Sequence, residues 1–167
     1  IFAGDNGLAV GQHGLMGKQN VYEHSVGVPL MIKAAAQHTG KKTADLCYLI
    51  DVFPTLCDML QLPVPQSVDG ISLLSSLDGK EPVRDYLYYS YMDNQRGISD
   101  GTWKLIEYHV NGKRTTQLFN LKNDPWERND LSGQKKYEKT IQRLREKMAE
   151  EQKRTNDTSV FWNNFSY

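Results

Sequence analysis

The spacing of hydrophobic and polar positions in the first half of the chain predicts short strands and one helix. The apolar run Ile1–Ala3 is typical of the end of a buried strand, and Leu30–Ala34 is predicted to be a second strand. Across Ala44–Gln61 apolar residues recur every three or four positions, which predicts a helix. Pro54 lies inside this pattern, so it either kinks the helix or starts a new one.

From Val83 onward the pattern changes to alternation with many aromatic residues, which favours strands. Asp100-Gly101 and Asn111-Gly112 are hairpin signals between these strands. After Gly133, apolar residues fall on one face of a long helix that ends near Arg154. The second half therefore predicts an antiparallel meander of three or four strands packed by a C-terminal helix, with strand candidates at residues 86–91, 96–99, 103–110 and 117–121.

This change of pattern predicts two parts of an α/β protein. Residues 1–82 are expected to form part of a main mixed sheet with helices. Residues 83–167 are expected to form a small antiparallel-sheet subdomain with the C-terminal helix. The total of 167 residues is also within the size of one ordinary domain.

Composition narrows the function classes. Apolar residues make up 39% and charged residues 24% of the chain, a profile typical of globular proteins. Twenty basic and 20 acidic residues give zero net charge, so no basic field argues for nucleic acid. No apolar run approaches the ~20 residues that a membrane span needs. A sheet that ends abruptly would expose a strand edge and an apolar face, and both can pair with a second copy of the chain. A homo-oligomer is therefore one predicted state of the protein.

Candidate chemistry follows the first strand, where Gly4-Asp5-Asn6-Gly7 predicts a turn. Ligands bind at the carboxyl ends of strands in open α/β sheets. Asp5 and Asn6 offer hard oxygen donors, the type that Ca²⁺ or Mg²⁺ prefers. His13 and Lys18 follow among three glycines, which allow close backbone approach to a ligand. Asp-Asn-Gly is also common in turns that hold no metal, so both interpretations stay open.

Several segments together resemble the C-terminal half of the sulfatase family, in the alkaline-phosphatase superfamily. The first 30 residues carry the most specific part, D-N-G, G-Q-H-G, G-K-Q-N and Y-E-H-S-V-x-V-P-L. Residues 50–56 (IDVFPTL), 68–73 (VDGISL) and 124–131 (DPWERNDL) are similar to later family segments, in the family's order. The resemblance implies an α/β fold of the alkaline-phosphatase type and a sulfuric ester hydrolase.

Such enzymes use a formylglycine made from Cys or Ser in a C/S-x-P-x-R motif, and a divalent ion, usually Ca²⁺. The resemblance implies that Asp5 and Asn6 are metal ligands and that Lys18 contacts the sulfate and the leaving oxygen. A fixed cation and an ammonium group would stabilise the charge that gathers on oxygen in the transition state. His13 either contacts substrate and protonates the leaving group or holds its loop by a hydrogen bond. Arg96 is a further candidate for substrate contact.

The chain also departs from the family pattern. No C/S-x-P-x-R motif occurs, and the family's upstream metal carboxylates are absent. We therefore expect a C-terminal fragment that does not hydrolyse aryl sulfates alone, from a periplasmic or secreted protein that acts on a sulfated small molecule or glycan. Two alternatives stay open. One is a phosphodiesterase or phosphonate monoester hydrolase of the same superfamily, and the other is a non-catalytic scaffold.

Overall fold

The structure is a computed structural model that describes residues 1–33, 40 and 42–159. Contacts group the chain into two compact units. The first unit contains Ile1–Asp5 and Pro29–Leu87, and the second contains Asn6–Val28 and the chain from Tyr88 onward. The predicted division of the chain at residue 82 stays a prediction.

Eight strands and four α-helices are present in the part of the chain that the structure describes. The strands are β1 (Phe2–Ala3), β2 (Ala9–Val10), β3 (Met16–Gly17), β4 (Leu30–Met31), β5 (Leu87–Tyr91), β6 (Gln95–Ser99), β7 (Trp103–Val110) and β8 (Lys113–Asn120). The helices are α1 (Glu23–Val26), α2 (Val52–Met59), α3 (Leu74–Leu77) and α4 (Glu138–Arg154).

In the first unit, β1 and β4 form an antiparallel pair in which Phe2 lies opposite Met31. Both predicted strands are therefore present, although the end of Leu30–Ala34 lies outside the described residues. The expectation that β1 is buried is wrong for this chain, because the Phe2 side chain is 61% exposed. Among the described residues, only β4 pairs with β1.

The predicted helix over Ala44–Gln61 is shorter than expected. A single 3₁₀ turn at residues 49–51 leads into α2, and the chain before it is extended at Tyr48. The cause is Asp51, whose carboxylate accepts the N–H groups of Tyr48 (2.7 Å) and Ile71 (2.8 Å). Pro54 lies in the first turn of α2, where its missing N–H leaves no hydrogen bond unmade. Pro54 therefore belongs to the start of a new helix.

The second unit contains the predicted meander, a four-stranded sheet in the order β5-β6-β7-β8. β6 pairs antiparallel with β7, and β7 with β8. Asn111 and Gly112 both have positive φ angles, 52° and 75°, which is the conformation that a two-residue hairpin turn requires. The predicted small antiparallel sheet with a long C-terminal helix is confirmed.

Strand β7 is buried on both faces because its side chains alternate between two covering layers. Ile106 packs with Val21 and Tyr22 of the N-terminal segment. On the other face Glu107 accepts a hydrogen bond from Arg145 of α4 (2.6 Å), and α4 packs on β6 and β7. The sheet is thus held between α4 and residues 6–28, the segment that carries His13 and Lys18.

The longest helix, α4, has 17 residues and is charged along much of its length. Within the described ranges, no helix combines the length and the hydrophobicity needed to span a bilayer.

Candidate functional site

His13 lies in the tight turn that joins β2 to β3. Gly11, His13 and Gly14 all have positive φ angles, of 112°, 54° and 71°. Glycine adopts this conformation readily, whereas a histidine does so only when its surroundings hold it. The glycines around His13 therefore form the turn, and neighbouring side chains fix the His13 ring.

Three rings stack at this position. The His13 ring lies 4.0 Å from the Tyr22 ring with an angle of 3° between their planes. The His24 ring lies 5.6 Å from each of the other two. Tyr22 is itself anchored, because its hydroxyl donates to Gln117 of β8 (2.7 Å). The stack thus places two imidazoles in a defined arrangement on the sheet.

A hydrogen bond connects this turn to the loop that follows β8. The Nε2–H of His13 donates to the main-chain carbonyl of Trp126 (3.2 Å). The loop has its own internal support, since the Asp124 carboxylate accepts the Asn129 N–H (2.7 Å). Two roles were predicted for His13, substrate contact and holding its loop by a hydrogen bond. The observed hydrogen bond corresponds to the second of these roles. The Trp126 side chain, by contrast, is 66% exposed.

Glu127, the next residue in the loop, is joined to α1 through a buried lysine. The ammonium of Lys104, which is 0% exposed, lies 3.0 Å from the Glu127 carboxylate and 2.8 Å from that of Glu23. Glu127 also accepts the main-chain N–H of Glu23 (2.6 Å). Burial raises the pKa of Glu127, while the Lys104 charge opposes that rise. We call these three residues the Lys104 clamp.

The clamp and the ring stack border a pocket of about 440 Å³. Its lining residues are Gln12, His13, His24, Pro125, Trp126, Glu127 and Arg128. Burial lowers the pKa of His24, and the charges of His13 and Lys104 lower it further, so the His24 ring is neutral near pH 7. The Nε2 atom of His24 is buried and has no hydrogen-bond partner within the described residues. The pocket therefore offers two imidazoles, an indole and a guanidinium to a ligand.

Residues 11–154, which contain the pocket and most of both units, match the family described as N-sulphoglucosamine sulphohydrolase, C-terminal. The chain belongs to this family. The resemblance to sulfatases is thereby confirmed.

Individual relatives support the same family assignment. An N-acetylglucosamine-6-O-sulfatase of Bacteroides thetaiotaomicron is 29% identical over 170 residues, covering 94% of this chain and 30% of the relative. A protein solved in complex with its substrate D-glucosamine-2-N,6-O-disulfate is 27% identical with a TM-score of 0.76, covering 95% of this chain and 35% of that one. The chain thus spans about a third of the length of these relatives.

A phosphonate monoester hydrolase of Agrobacterium radiobacter has the same fold. It is 24% identical with a TM-score of 0.75, and the match covers 90% of this chain and 34% of that one. With the sulfatase neighbours, it confirms the α/β fold class of the alkaline-phosphatase type.

Lys18, which the sulfatase resemblance implies contacts the sulfate, is exposed and directly follows β3. His13 lies in the turn at the other end of the same hairpin, in which Val10 pairs with Met16 and Ala9 with Gly17. Lys18 and Leu15, where the turn ends, are three residues apart, a separation of roughly 10 Å along the strand. The structure thus places His13 in the pocket and Lys18 at the opposite end of the same hairpin.

The divalent ion of the sulfatase family requires oxygen ligands, and this chain offers a matching but incomplete set. Asp5 is exposed after β1, and Asn6 is half-buried. Their carboxylate and amide oxygens are of the right type, although Ca²⁺ takes roughly six to eight oxygens. In the described part of the chain, no group of three or more His, Cys, Asp or Glu side chains could hold a metal ion. Asp5 and Asn6 could therefore supply at most two of the ligands that such an ion needs, and their role as metal ligands stays a prediction.

Arg96 is buried and hydrogen-bonded within the protein, whereas a substrate contact is expected to be exposed. It is 3% exposed, and its guanidinium donates to the Asp157 carboxylate (2.6 and 3.0 Å) and to the Met92 carbonyl (2.5 Å). These bonds hold the end of α4 to the sheet. A role of Arg96 in substrate contact stays a prediction.

Sequence reasoning gave no role to two pocket residues, Trp126 and Arg128, and it favoured a structural role for His24. The family segment D-P-W-E-R-N-D-L was recognised, but only as a connecting loop. A signal was available in this segment, because binding residues lie disproportionately on loops and this polar loop carries a tryptophan and an arginine. The position of this loop against residues 12–24 depends on the long-range Lys104 clamp, which no local pattern reveals.

Proposed function

We propose that the complete protein carrying this chain is a sulfatase that hydrolyses sulfate esters of a saccharide. The observation that carries the proposal is the family match over residues 11–154, which includes His13, Lys18 and the pocket. The nucleophile would be a formylglycine in a part of the protein outside this chain. On the same basis, the protein would be periplasmic or secreted, and the 167 residues alone would be inactive.

In this proposal, the chain's residues bind and neutralise the sulfate. Asp5 and Asn6 would hold a Ca²⁺ or Mg²⁺ ion, which when bound supplies positive charge beside the sulfate oxygens. The Lys18 ammonium would donate hydrogen bonds to a sulfate oxygen and to the ester oxygen. As the S–O bond breaks, negative charge develops on the ester oxygen, and Lys18 can stabilise it or transfer a proton to it.

Saccharide sulfates are the proposed substrates for two reasons. The relatives named above include an N-acetylglucosamine-6-O-sulfatase and a protein bound to a disulfated glucosamine. The pocket, in addition, carries the mixture of ring faces and polar groups that carbohydrate ligands require.

The phosphonate monoester hydrolase with the same fold keeps a second candidate function open. Both reactions place negative charge on oxygen beside a cation, so Asp5, Asn6 and Lys18 would serve either one. The choice between sulfate and phosphonate depends on the nucleophile, which this chain does not carry.

The test measures turnover of 4-nitrophenyl sulfate and phenyl phosphonate esters by the complete protein and by its Lys18→Met variant. We expect sulfate hydrolysis to dominate and kcat to fall on the order of 10²-fold or more in Lys18→Met, because the lost ammonium acts in the transition state. Lys122→Met is the matched control, since Lys122 is exposed in the second unit and outside the pocket. It should retain normal kcat.

Preferential phosphonate hydrolysis would replace the sulfatase proposal with the second candidate. No turnover of either ester, together with no Ca²⁺ binding by the complete protein, would support the scaffold alternative.

A further inference from the structure

We propose that the pocket bounded by His13, His24, Trp126 and Arg128 binds the sugar ring of the substrate and one further acidic group on it. This inference rests on the proposed function. It adds a recognition site separate from Lys18 and from the metal ligands, which would determine which sulfate esters are hydrolysed.

The size of the pocket suits a single pyranose unit. Its volume of about 440 Å³ lies in the range of small-ligand sites, roughly 300–1,000 Å³. Trp126 is 66% exposed although tryptophan is among the residues that gain most from burial. A flat, exposed indole at the rim can stack on the C–H face of a sugar ring, which would cover the exposed surface.

The charges around the pocket favour an acidic ligand. The only carboxylate that lines it, within the described residues, is that of Glu127, and the Lys104 ammonium, which lies 3.0 Å away and is shared with Glu23, offsets part of its charge. Arg128 is exposed at the pocket, and its planar guanidinium matches sulfate or carboxylate groups. Asp124 is also near Arg128, but its carboxylate accepts N–H groups within the loop. The pocket thus has one guanidinium for the acidic group of the ligand and two imidazoles that can form hydrogen bonds with the sugar.

The site is held in position before any ligand binds. His13 is fixed by the Tyr22 ring and the Trp126 carbonyl, and Glu127 is fixed by the clamp. The His24 ring is held as well, because it stacks on the His13 and Tyr22 rings. Preorganised groups of this kind bind a ligand with less loss of conformational entropy.

The position of Lys18 agrees with a substituted sugar. The strand separates Lys18 from Leu15, where the turn that carries His13 ends, by roughly 10 Å. A pyranose ring with acidic groups on two of its carbons spans a comparable length. One sulfate could then reach Lys18 while the ring and the second acidic group occupy the pocket.

The experiment compares three substrates in the complete protein: D-glucosamine-2-N,6-O-disulfate, D-glucosamine-6-O-sulfate and 4-nitrophenyl sulfate. In Trp126→Ala, we expect kcat/KM for both sugars to fall at least tenfold and the value for 4-nitrophenyl sulfate, which lacks the sugar ring, to fall by a much smaller factor. In Arg128→Ala, we expect the preference for the disulfated over the monosulfated sugar to shrink about tenfold, since one charge-assisted contact is lost. Arg128→Lys should restore part of this preference.

Lys122→Ala is the control for both variants, and thermal melting checks that each variant is folded. Equal losses on the sugars and on 4-nitrophenyl sulfate would overturn the inference, as would unchanged values for the sugars.

Direct binding separates this inference from the proposed function. If no sulfate ester is hydrolysed, calorimetric titration of the unmodified protein with D-glucosamine-2-N,6-O-disulfate still reports on the pocket. Binding that weakens at least tenfold in Trp126→Ala would support the pocket even then. Absence of binding, or binding that Trp126→Ala leaves unchanged, would reject it.

Discussion

At the scale of single residues, this chain uses buried charges as anchors. Asp51 in the first unit and Lys104 in the second are both 0% exposed, and each has an oppositely charged partner. A buried charge is stable only when partners satisfy it, so each anchor fixes the segments that supply those partners. Asp51 fixes the chain at Tyr48, Ile71 and Arg84.

Asp51→Asn should therefore destabilise the protein by about 3–5 kcal/mol, because it leaves the Arg84 charge, 8% exposed, without compensation. Urea unfolding followed by circular dichroism measures the loss, and amide hydrogen exchange should show faster exchange at Tyr48 and Ile71. Asp58→Asn on α2 is the matched control, since Asp58 is exposed. Equal stabilities of the two variants would contradict the anchoring role of Asp51.

At the scale of elements, short segments near the site are positioned by close backbone packing. The Gly7 N–H donates to the Ser25 carbonyl of α1 (2.9 Å). A Cβ atom at Gly7 would lie 2.0 Å from the His24 carbonyl oxygen, so no larger residue fits without movement of the backbone. This contact holds α1, and with it His24, beside the pocket.

Gly7→Ala should lower stability by about 1–3 kcal/mol, in the range of overpacked sites. It should also reduce kcat/KM for sulfated sugars, because α1 must shift. Gly133→Ala is the control, because the space around Gly133 is open. Thermal melting of both variants provides the measurement, and a melting temperature for Gly7→Ala equal to that of Gly133→Ala would show that the packing contact does not matter.

Elements with strong local signals could be predicted from the sequence, and those set by distant contacts could not. Asn111-Gly112 predicted its hairpin because both residues tolerate positive φ, and the apolar face of α4 predicted its packing. The start of α2 was left as one of two alternatives because the contacts that decide it, from Asp51 to Ile71 and Arg84, lie far along the chain. The pocket was missed for the same reason, as Lys104 joins Glu23 to Glu127 across 104 positions.

At the scale of the whole molecule, the first unit leaves several large apolar side chains exposed. Phe53 is 51%, Leu60 65% and Leu62 54% exposed. The chain spans about a third of its relatives, so we expect the rest of the complete protein to cover this surface. A second copy of the chain is the alternative partner for this apolar surface. The predicted homo-oligomer stays a prediction.

The central claim concerns Asp5, its neighbour Asn6, and Lys18. Lys18 lies thirteen positions after Asp5 in the sequence. Asp5 belongs to the first unit and Lys18 to the second. The claim is that the complete protein brings their side chains to one sulfate ester, with the divalent ion beside it. The distance between the Lys18 amine and the Asp5 carboxylate is therefore the quantity that decides it.

The most direct measurement is a crystal structure of the complete protein grown with Ca²⁺ and sulfate. The account predicts a Ca²⁺ ion bound by Asp5 and Asn6, and a sulfate oxygen within hydrogen-bond distance of the Lys18 amine. A well-ordered Lys18 that points away from the bound sulfate, or a Ca²⁺ ion that Asp5 does not bind, would contradict it.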